Sequence, residues 1–173
     1  VGPASPGSII AYLMMTPGPD IWKVLVGVAI ATGISFGIAS PIVKIAGGKN
    51  SLEEAIQAVG ELLHQLGYVD ETYVDAMQER EKLITTYMGM GVAIPHGTSQ
   101  AKGTVKKTGI VFLQYPQGVD FGDEKAQLVF GIAGIGEEHL NLLAKICEAL
   151  EDEEVLEKMK TTDDIDWIME WLS

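Results

Sequence analysis

The sequence predicts an α/β domain, with a central sheet flanked by helices on both faces, preceded by one transmembrane helix. The first observation is that the 173 residues have a net charge of −12 and yet a mean hydropathy of +0.19. These two properties come from different parts of the chain, because residues 1–50 carry one acid and three bases, whereas residues 51–173 carry 23 acids and nine bases. We therefore expect a membrane segment at 1–46 and an acidic domain at 47–173.

The second observation is an uncharged run of twenty residues, which predicts the transmembrane helix. Residues 24–43 contain nothing more polar than Ser or Thr and lie between Lys23 and Lys44. A helix of twenty apolar residues is long enough to cross a bilayer. Lysines follow the run directly, which indicates that the acidic domain lies in the cytoplasm.

The segment ahead of this run has no charge for nineteen residues and is rich in proline. We interpret it as a buried re-entrant or hairpin segment of a membrane protein. Because the chain begins at Val1 without a methionine, we expect it to be a fragment whose other membrane helices are absent, although processing also explains such a start.

Beyond residue 48, helical spacing and short apolar runs alternate, which is the third observation. Ser51 and Glu54 form a predicted capping box, and the helix that they start should stop at Gly67. Further helices are predicted at 71–82, after Gly134, at 152–160 and at 162–172. Strands are predicted at 92–95, 109–115 and 128–133, with a turn at 115–118 between the last two. Strands this apolar are usually covered by helices on both faces.

Composition excludes two classes of function. A domain with so many acidic residues repels the phosphate backbone of nucleic acids, so we expect no nucleic-acid binding. The single cysteine, Cys147, excludes both a disulfide framework and a cysteine-based zinc site. It belongs to an apolar helix face with Leu140, Leu143, Ala144 and Ile146, so we predict that it lies in the core.

Of the three histidines, His96 has the surroundings of a site residue. It follows a predicted strand in the sequence GVAIPHGTSQAKG, where Pro95 restricts the approach and Gly97 frees the exit. Turns of this composition leave backbone N–H groups available for an oxyanion. On residue type alone, a functional and a structural interpretation remain equally open. His64 lies between Leu63 and Gln65 in a predicted helix and is interpreted as a boundary or solvated residue.

His139 and Arg80 each allow two interpretations. His139 starts an apolar helix, where it either caps the helix or lies near a bound anion that the helix N-terminus favours. Arg80 is the only arginine of the chain and lies between Glu79 and Glu81. It is either a surface ion pair or a ligand of phosphate, which its planar guanidinium group fits well.

Four motifs in order identify a family resemblance: REKL, IPHGT, QYPQGV, and the segment from GIAG to EHL. With their spacing, they make residues 48–173 closely similar to the mannitol-type enzyme IIA domain of the bacterial phosphoenolpyruvate-dependent sugar phosphotransferase system (PTS). The segment SPGSIIAYLMMTPGPD with the apolar span after it resembles the last membrane segments of the mannitol permease, the IIC domain.

The resemblance implies a mixed central sheet and a phosphoryl-transfer function. It implies that His96 takes a phosphoryl group from the phosphocarrier protein HPr and passes it to a cysteine of a IIB domain. An imidazole suits this role because its pKa of about 6.5 leaves a nucleophilic nitrogen at neutral pH. By the same resemblance His139 donates a hydrogen bond to the phosphate and Arg80 binds the dianion. Gly97 and Thr98 are further candidate phosphate donors, and neither a metal nor another cofactor is expected.

The resemblance also implies partners and a location. Residues 44–51 leave no room for a IIB domain, so we expect IIB on a separate chain, the IIC permease in the inner (cytoplasmic) membrane, and the IIA domain in the cytoplasm. Cys147 is not expected to be the phosphocysteine of a IIB domain. Alternatives are a fructose-type IIA or a membrane-anchored regulatory module. A zinc site at His96 and His139 lacks an evident third ligand.

Overall fold

The computed structural model describes residues 10–15, 29–30, 51–162 and 164–172. The helices are Leu52–Gln65 (α1), Tyr73–Leu83 (α2), Glu138–Ala149 (α3), Glu153–Met159 (α4) and Ile165–Leu172 (α5). The strands are Ile10–Met15 (β1), Ala29–Ile30 (β2), Tyr87–Gly89 (β3), Val92–Ala93 (β4), Gly109–Phe121 (β5) and Glu124–Ala133 (β6). A 3₁₀ helix spans Ser99–Thr104.

The strands of these described residues form one mixed sheet, in the order β2-β1-β5-β6-β4-β3. β4 runs parallel to β6, with Val92 opposite Leu128 and Ala93 opposite Val129. The neighbouring pairs β3–β4 and β5–β6 are antiparallel. The mixed sheet expected from the family resemblance is therefore confirmed.

Alternate residues of β5 pack into two apolar clusters on opposite faces of the sheet. Val111 and Leu113 lie in a cluster with residues of α1 and α2, whereas Ile110 and Phe112 lie in a cluster with residues of α3, α4 and α5. Successive side chains of a strand point to opposite faces, so helices cover both faces, as predicted.

The first helix begins as the sequence predicts. The Ser51 side chain accepts a hydrogen bond from Glu54 N at 3.2 Å, so that it caps α1. The helix ends at Gln65, two residues before Gly67. Its buried face, which includes Ile56, Val59 and Leu63, packs on the sheet.

The predicted turn at residues 115–118 is wrong, because β5 continues through these residues to Phe121. Four residues of β5 between Gln114 and Val119 lie opposite a single residue of β6, which marks a bulge in the ladder. A bulge accommodates extra residues without ending the strand, so turn-forming residues occur inside β5. The chain reverses later, between Phe121 and Glu124, which are paired.

Most of the predicted membrane segment lies outside the described residues. Of the span 24–43 the structure describes Ala29–Ile30, which form a strand and not a helix. β1 pairs antiparallel with β5 from Ile10 to Met15, so this part of the predicted re-entrant segment extends the sheet. The outer edge of β5 offers backbone N–H and C=O groups that favour such pairing. In the described part of the chain, no helix is both long and apolar enough to cross a bilayer.

The cap of α1 makes a prediction about stability. Ser51→Ala removes the hydrogen-bond acceptor for Glu54 N, so we expect the free energy of unfolding in urea to fall by about 1 kcal/mol. Ser51→Thr keeps a hydroxyl and should retain most of this energy. Equal unfolding energies for Ser51→Ala and the unsubstituted chain would contradict the role of Ser51 as a cap.

Candidate active site

His96 lies just beyond β4, at the edge of the sheet where β6 also ends. The pairing with β6 extends past β4, since His96 forms an isolated parallel bridge with Ile132 and Ile132 N donates to Pro95 O at 3.0 Å. The carboxyl ends of parallel strands meet at one edge of a sheet, where sites of α/β proteins are often found. The half-buried imidazole of His96 is therefore held on a rigid scaffold.

One hydrogen bond decides which ring nitrogen of His96 is nucleophilic. Nδ1 lies 2.8 Å from the carbonyl oxygen of Ile94. A carbonyl oxygen only accepts hydrogen bonds, so Nδ1 carries the proton. The neutral ring then has its lone pair on Nε2, which is the nitrogen that can attack an electrophile.

The surroundings keep His96 in this neutral form. Burial lowers the pKa of His96 below its ordinary value of 6.5, and the positive charges of Arg80 and His139 lower it further. The hydrogen bond to Ile94 and the carboxylate of Glu81 act in the opposite direction, but the net shift of the pKa is downward. A lowered pKa means that His96 is a free base at neutral pH.

Arg80 reaches the site from the last turn of α2. Its Nη1 donates to the carbonyl oxygen of Ile84 at 2.7 Å, which holds the guanidinium group against the segment after the helix. The same segment is fixed by Glu81, whose carboxylate accepts from the Thr85 hydroxyl at 2.7 Å and from Thr86 N at 2.7 Å. Glu81 therefore orders the segment that holds Arg80.

His139 lies in the first turn of α3. Its Nδ1 donates to the carbonyl oxygen of Gly136 at 3.2 Å, which leaves Nε2 for a ligand. The helix approaches the end of β6 very closely, because a Cβ atom at Gly134 would lie 2.3 Å from His139 N. Only glycine permits this contact, which sets the position of His139.

The structure brings the three predicted catalytic residues together. One cavity is lined by Tyr73, Gly97, Thr98 and Lys102 among others, and a second by Thr86, Ile94, Leu140 and Cys147 among others. Arg80, His96 and His139 line both cavities. They form the shared wall of an open cleft, with two cationic or hydrogen-bonding groups near one nucleophilic nitrogen.

The other predicted site residues are in different situations. Thr98 is buried and lines the first cavity, and its side chain does not cap the 3₁₀ helix that follows it. The amide of Gly97 already donates to the Tyr73 hydroxyl at 2.9 Å. The structure thus gives this amide a partner other than the phosphate that we predicted. His64, in α1, bonds to Val69 O and lines neither cavity.

The prediction that Cys147 lies in the core is wrong. Cys147 is exposed and lines the second cavity. The apolar side of α3 is wider than the surface it can bury, so Leu142 and Ile146 pack in the core while Leu140 remains 51% exposed. The sequence shows that such a face is apolar, but not which part of it meets the sheet.

Two features of the site were missed. Tyr73 lines the first cavity and bonds to the residue after His96, and an apolar surface surrounds the cleft. Leu83, Ile84, Met88 and Leu140 are all more than half exposed. In the sequence, apolar residues at a helix end or in a turn are the feature that indicates this surface. Within the described ranges, no group of three or more His, Cys, Asp or Glu side chains is arranged to hold a metal ion.

Comparison with known proteins decides the family. The family model described as "Phosphoenolpyruvate-dependent sugar phosphotransferase system, EIIA 2" matches residues 43–173. The chain belongs to this family. As an EIIA domain it is a component of a sugar phosphotransferase system, and the predicted resemblance to the mannitol-type enzyme IIA is confirmed by its relatives.

Curated relatives of the EIIA domain carry mannitol in their names. It is 48% identical over 124 residues to the PTS system mannitol-specific EIICBA component of Escherichia coli (strain K12), an overlap of 70% of this chain and 20% of that protein. It is 54% identical over 101 residues to the mannitol-specific phosphotransferase enzyme IIA component of Enterococcus faecalis (strain ATCC 700802 / V583), or 56% of this chain and 70% of that protein. The chain thus spans 20% of the length of the EIICBA relative.

Solved structures share the fold of the EIIA domain. The crystal structure of IIA mannitol from Escherichia coli superposes with a TM-score of 0.67 at 47% identity, covering 72% of this chain and 90% of that one. The NMR structure of the Escherichia coli complex of enzyme IIAMTL and phosphorylated enzyme IIBMTL matches with a TM-score of 0.68 at 47% identity, covering 71% and 88%. The nitrogen regulatory protein IIA-Ntr of Neisseria meningitidis matches with a TM-score of 0.60 at 26% identity, covering 72% and 88%.

The electrostatics of the EIIA site make a prediction for His96. Histidine NMR of the unphosphorylated domain should give a titration midpoint for His96 below 6.5. Arg80→Gln should raise this midpoint, because it removes a positive charge that disfavours the imidazolium form. His64→Gln is the control and should leave the midpoint unchanged. A midpoint above 6.5 for the unsubstituted domain, or a lower one in Arg80→Gln, would contradict the proposed surroundings of His96.

Proposed function

We propose that this EIIA domain accepts a phosphoryl group from phospho-HPr on Nε2 of His96 and passes it to the cysteine of a IIB domain during mannitol uptake. The observation that carries the proposal is the joint arrangement of Arg80, His96 and His139 in the wall shared by the two cavities. The bond from Nδ1 of His96 to Ile94 O leaves Nε2 as the reactive atom.

The transfer involves no oxidation or reduction and consists of two displacements at phosphorus. The lone pair of Nε2 forms the nitrogen–phosphorus bond while the bond from phosphorus to the HPr histidine breaks, and the HPr nitrogen keeps the electron pair. The proton remains on Nδ1, and its hydrogen bond to Ile94 O stabilises the positively charged ring that forms. In the second step a IIB thiolate attacks phosphorus, and Nε2 of His96 recovers its electron pair.

Arg80 and His139 stabilise the charge on the transferred group. The guanidinium of Arg80 has N–H groups besides the one bonded to Ile84 O, and they suit the phosphate oxygens. His139 donates from Nδ1 to Gly136 O, so it donates to phosphate through Nε2 only when both nitrogens carry protons.

Thr98 is proposed as a further hydrogen-bond donor to phosphate. It is buried at the wall of the first cavity, and it is the second residue after His96 in the sequence. The Gly97 amide donates to the Tyr73 hydroxyl and not to phosphate as expected. We therefore propose that Gly97 contributes by shaping the turn.

The apolar surface around the cleft supports a protein, and not a small molecule, as the phosphoryl donor and acceptor. Leu83, Ile84 and Met88 are 69%, 67% and 56% exposed, and exposed apolar patches of this kind mark sites of protein association. The negative charge of the domain favours partners with a basic face. The Escherichia coli relative has been solved in complex with phosphorylated enzyme IIBMTL, which supports a IIB domain as the acceptor.

Mannitol as the sugar is supported by the degree of similarity. The relatives named as mannitol-specific are 48% and 54% identical to this chain, whereas the nitrogen regulatory relative is 26% identical. We therefore prefer the transport function to the regulatory alternative.

We also propose that residues 47–173 are the EIIA domain, on the cytoplasmic side of the inner membrane, and that residues 1–46 are related to the end of a IIC membrane domain. The EIICBA name of the Escherichia coli relative supports the association of an EIIA domain with a IIC domain. The short stretch between residue 44 and Ser51 leaves the IIB domain to a separate chain.

Labelling tests the nucleophile. With enzyme I, HPr and labelled phosphoenolpyruvate, the unsubstituted chain should acquire acid-labile, base-stable phosphate, and His96→Ala should acquire none. His139→Ala should take up the label about 100-fold more slowly, because it loses a donor to the transferring group. His64→Ala is the matched control and should label at the unsubstituted rate. Absence of label on the unsubstituted chain, or equal labelling of His96→Ala, would overturn the proposal.

Discharge of the label tests the sugar. Phosphorylated chain is mixed with a mannitol-type IIB domain or with a fructose-type IIB domain, and the remaining label is followed in time. We expect the mannitol-type domain to discharge it faster, since the surface around the cleft must complement the acceptor. Faster discharge by the fructose-type domain would assign the chain to fructose uptake and would leave His96 as the nucleophile.

A further inference from the structure

Tyr73 makes two hydrogen bonds at the point where the chain turns after His96. Its hydroxyl donates to the carbonyl oxygen of Ile132 at 2.6 Å and accepts from the amide of Gly97 at 2.9 Å. The side chain is 4% exposed and lies in the cluster between α1, α2 and the sheet. Tyr73 therefore connects α2 to the two strand ends that form the site.

The two atoms that Tyr73 joins are the partners of the next bond in a parallel ladder. Ile132 N donates to Pro95 O at 3.0 Å, and in parallel pairing the following bond runs from the amide of residue 97 to the carbonyl of residue 132. The Tyr73 hydroxyl bonds to both groups. The Tyr73 hydroxyl thus reinforces the last parallel pairing of this ladder, between His96 and Ile132, at the two groups that close it.

The Tyr73 ring also determines how close the turn can come. A Cβ atom at position 97 would lie 2.5 Å from the ring of Tyr73, so Gly97 is required where the turn passes over this ring. The ring packs against the turn, and the hydroxyl accepts a hydrogen bond from the amide of Gly97. The protonation state of Tyr73 suits both bonds, because burial raises the pKa of its hydroxyl to about 12, despite the Gly97 hydrogen bond that lowers it.

We propose that Tyr73 is a positioning residue for phosphoryl transfer: its hydroxyl bonds both to Ile132 O and to Gly97 N, reinforces the pairing of His96 with β6, and so holds the turn that directs the His96 ring into the cleft. Without the hydroxyl, Gly97 N–H and Ile132 O lose the group that joins them, and the turn is held less firmly. The His96 ring is then displaced in the cleft that Arg80 and His139 also line. The expected effect on the rate of phosphoryl transfer rests on the proposed function of His96.

The experiment uses Tyr73→Phe in the full chain, with Tyr115→Phe as the matched control. Tyr115 is 3% exposed and lies in the same cluster. It is on β5, however, further along the strand than Ile110, which is the residue that pairs with Ile132. Phosphoryl transfer from phospho-HPr is measured by rapid quench at increasing concentrations of phospho-HPr. This separates the limiting rate from the half-saturating concentration.

We expect Tyr73→Phe to lower the limiting rate about 10- to 100-fold, because small displacements of a reacting group have effects of this size. The half-saturating concentration should stay within about twofold, since the exposed apolar surface is unchanged. In histidine NMR the ring signals of His96 should shift in Tyr73→Phe and not in Tyr115→Phe. A limiting rate within about twofold of the unsubstituted chain, or equal losses in both variants, would overturn the proposal.

A second measurement requires no substitution and no phosphoryl donor. In the unsubstituted chain the Gly97 amide should exchange slowly with solvent, because it is bonded to a buried hydroxyl, whereas the amide of Gly103, an exposed residue of the short 3₁₀ helix, should exchange quickly. Exchange of Gly97 as fast as that of Gly103 would overturn the role of Tyr73. If the unsubstituted chain accepts no phosphate, the proposed function fails, and the exchange and NMR results still decide whether Tyr73 positions His96.

Discussion

The parallel pairing of β4 with β6 is the constraint on which the site depends. β4 is two residues long, and it is fixed by bonds on both sides, such as that from Leu128 N to Gly91 O at 3.0 Å. Because the strands are parallel, the chain after β4 and the chain after β6 leave the sheet at one edge. The first carries His96 and the second leads to His139. A shift of the pairing by one residue would turn alternate side chains to the other face and separate these groups.

The two apolar clusters make this edge rigid, but their helices do not bury all of their apolar residues. α3 contributes Leu142 and Ile146 to the core, while Leu140 remains exposed beside the cleft. Full burial would add stability, but the proposed transfer of phosphate between proteins requires an apolar face that remains exposed to partners. The same helix therefore supports the sheet with one side and forms the rim of the site with the other.

Much of the fold could be predicted from the sequence, and so could three residues that the structure brings together in one cleft, because local signals indicate them. The cap at Ser51 and the apolar strands depend on neighbouring residues, and the motifs around Arg80, His96 and His139 identified the family. Contacts between distant parts of the chain could not be predicted in this way. Tyr73 and Gly97 are 24 residues apart, and nothing in the sequence indicates their bond. Likewise, the exposure of Cys147 depends on how α3 rotates on the sheet, which its apolar pattern leaves undetermined.

The single nucleophilic nitrogen of His96 has a kinetic consequence. In an in-line displacement the entering and leaving atoms lie on opposite sides of phosphorus. In the proposed transfer Nε2 occupies one side in both steps, so the donor nitrogen of HPr and the thiolate of IIB would occupy the same position on the other side. The two proposed partners would then exclude each other, and transfer would follow a ping-pong sequence in which one dissociates before the other binds. Tight binding of either partner would then slow the flow of phosphate, so rapid dissociation would suit this surface better than high affinity.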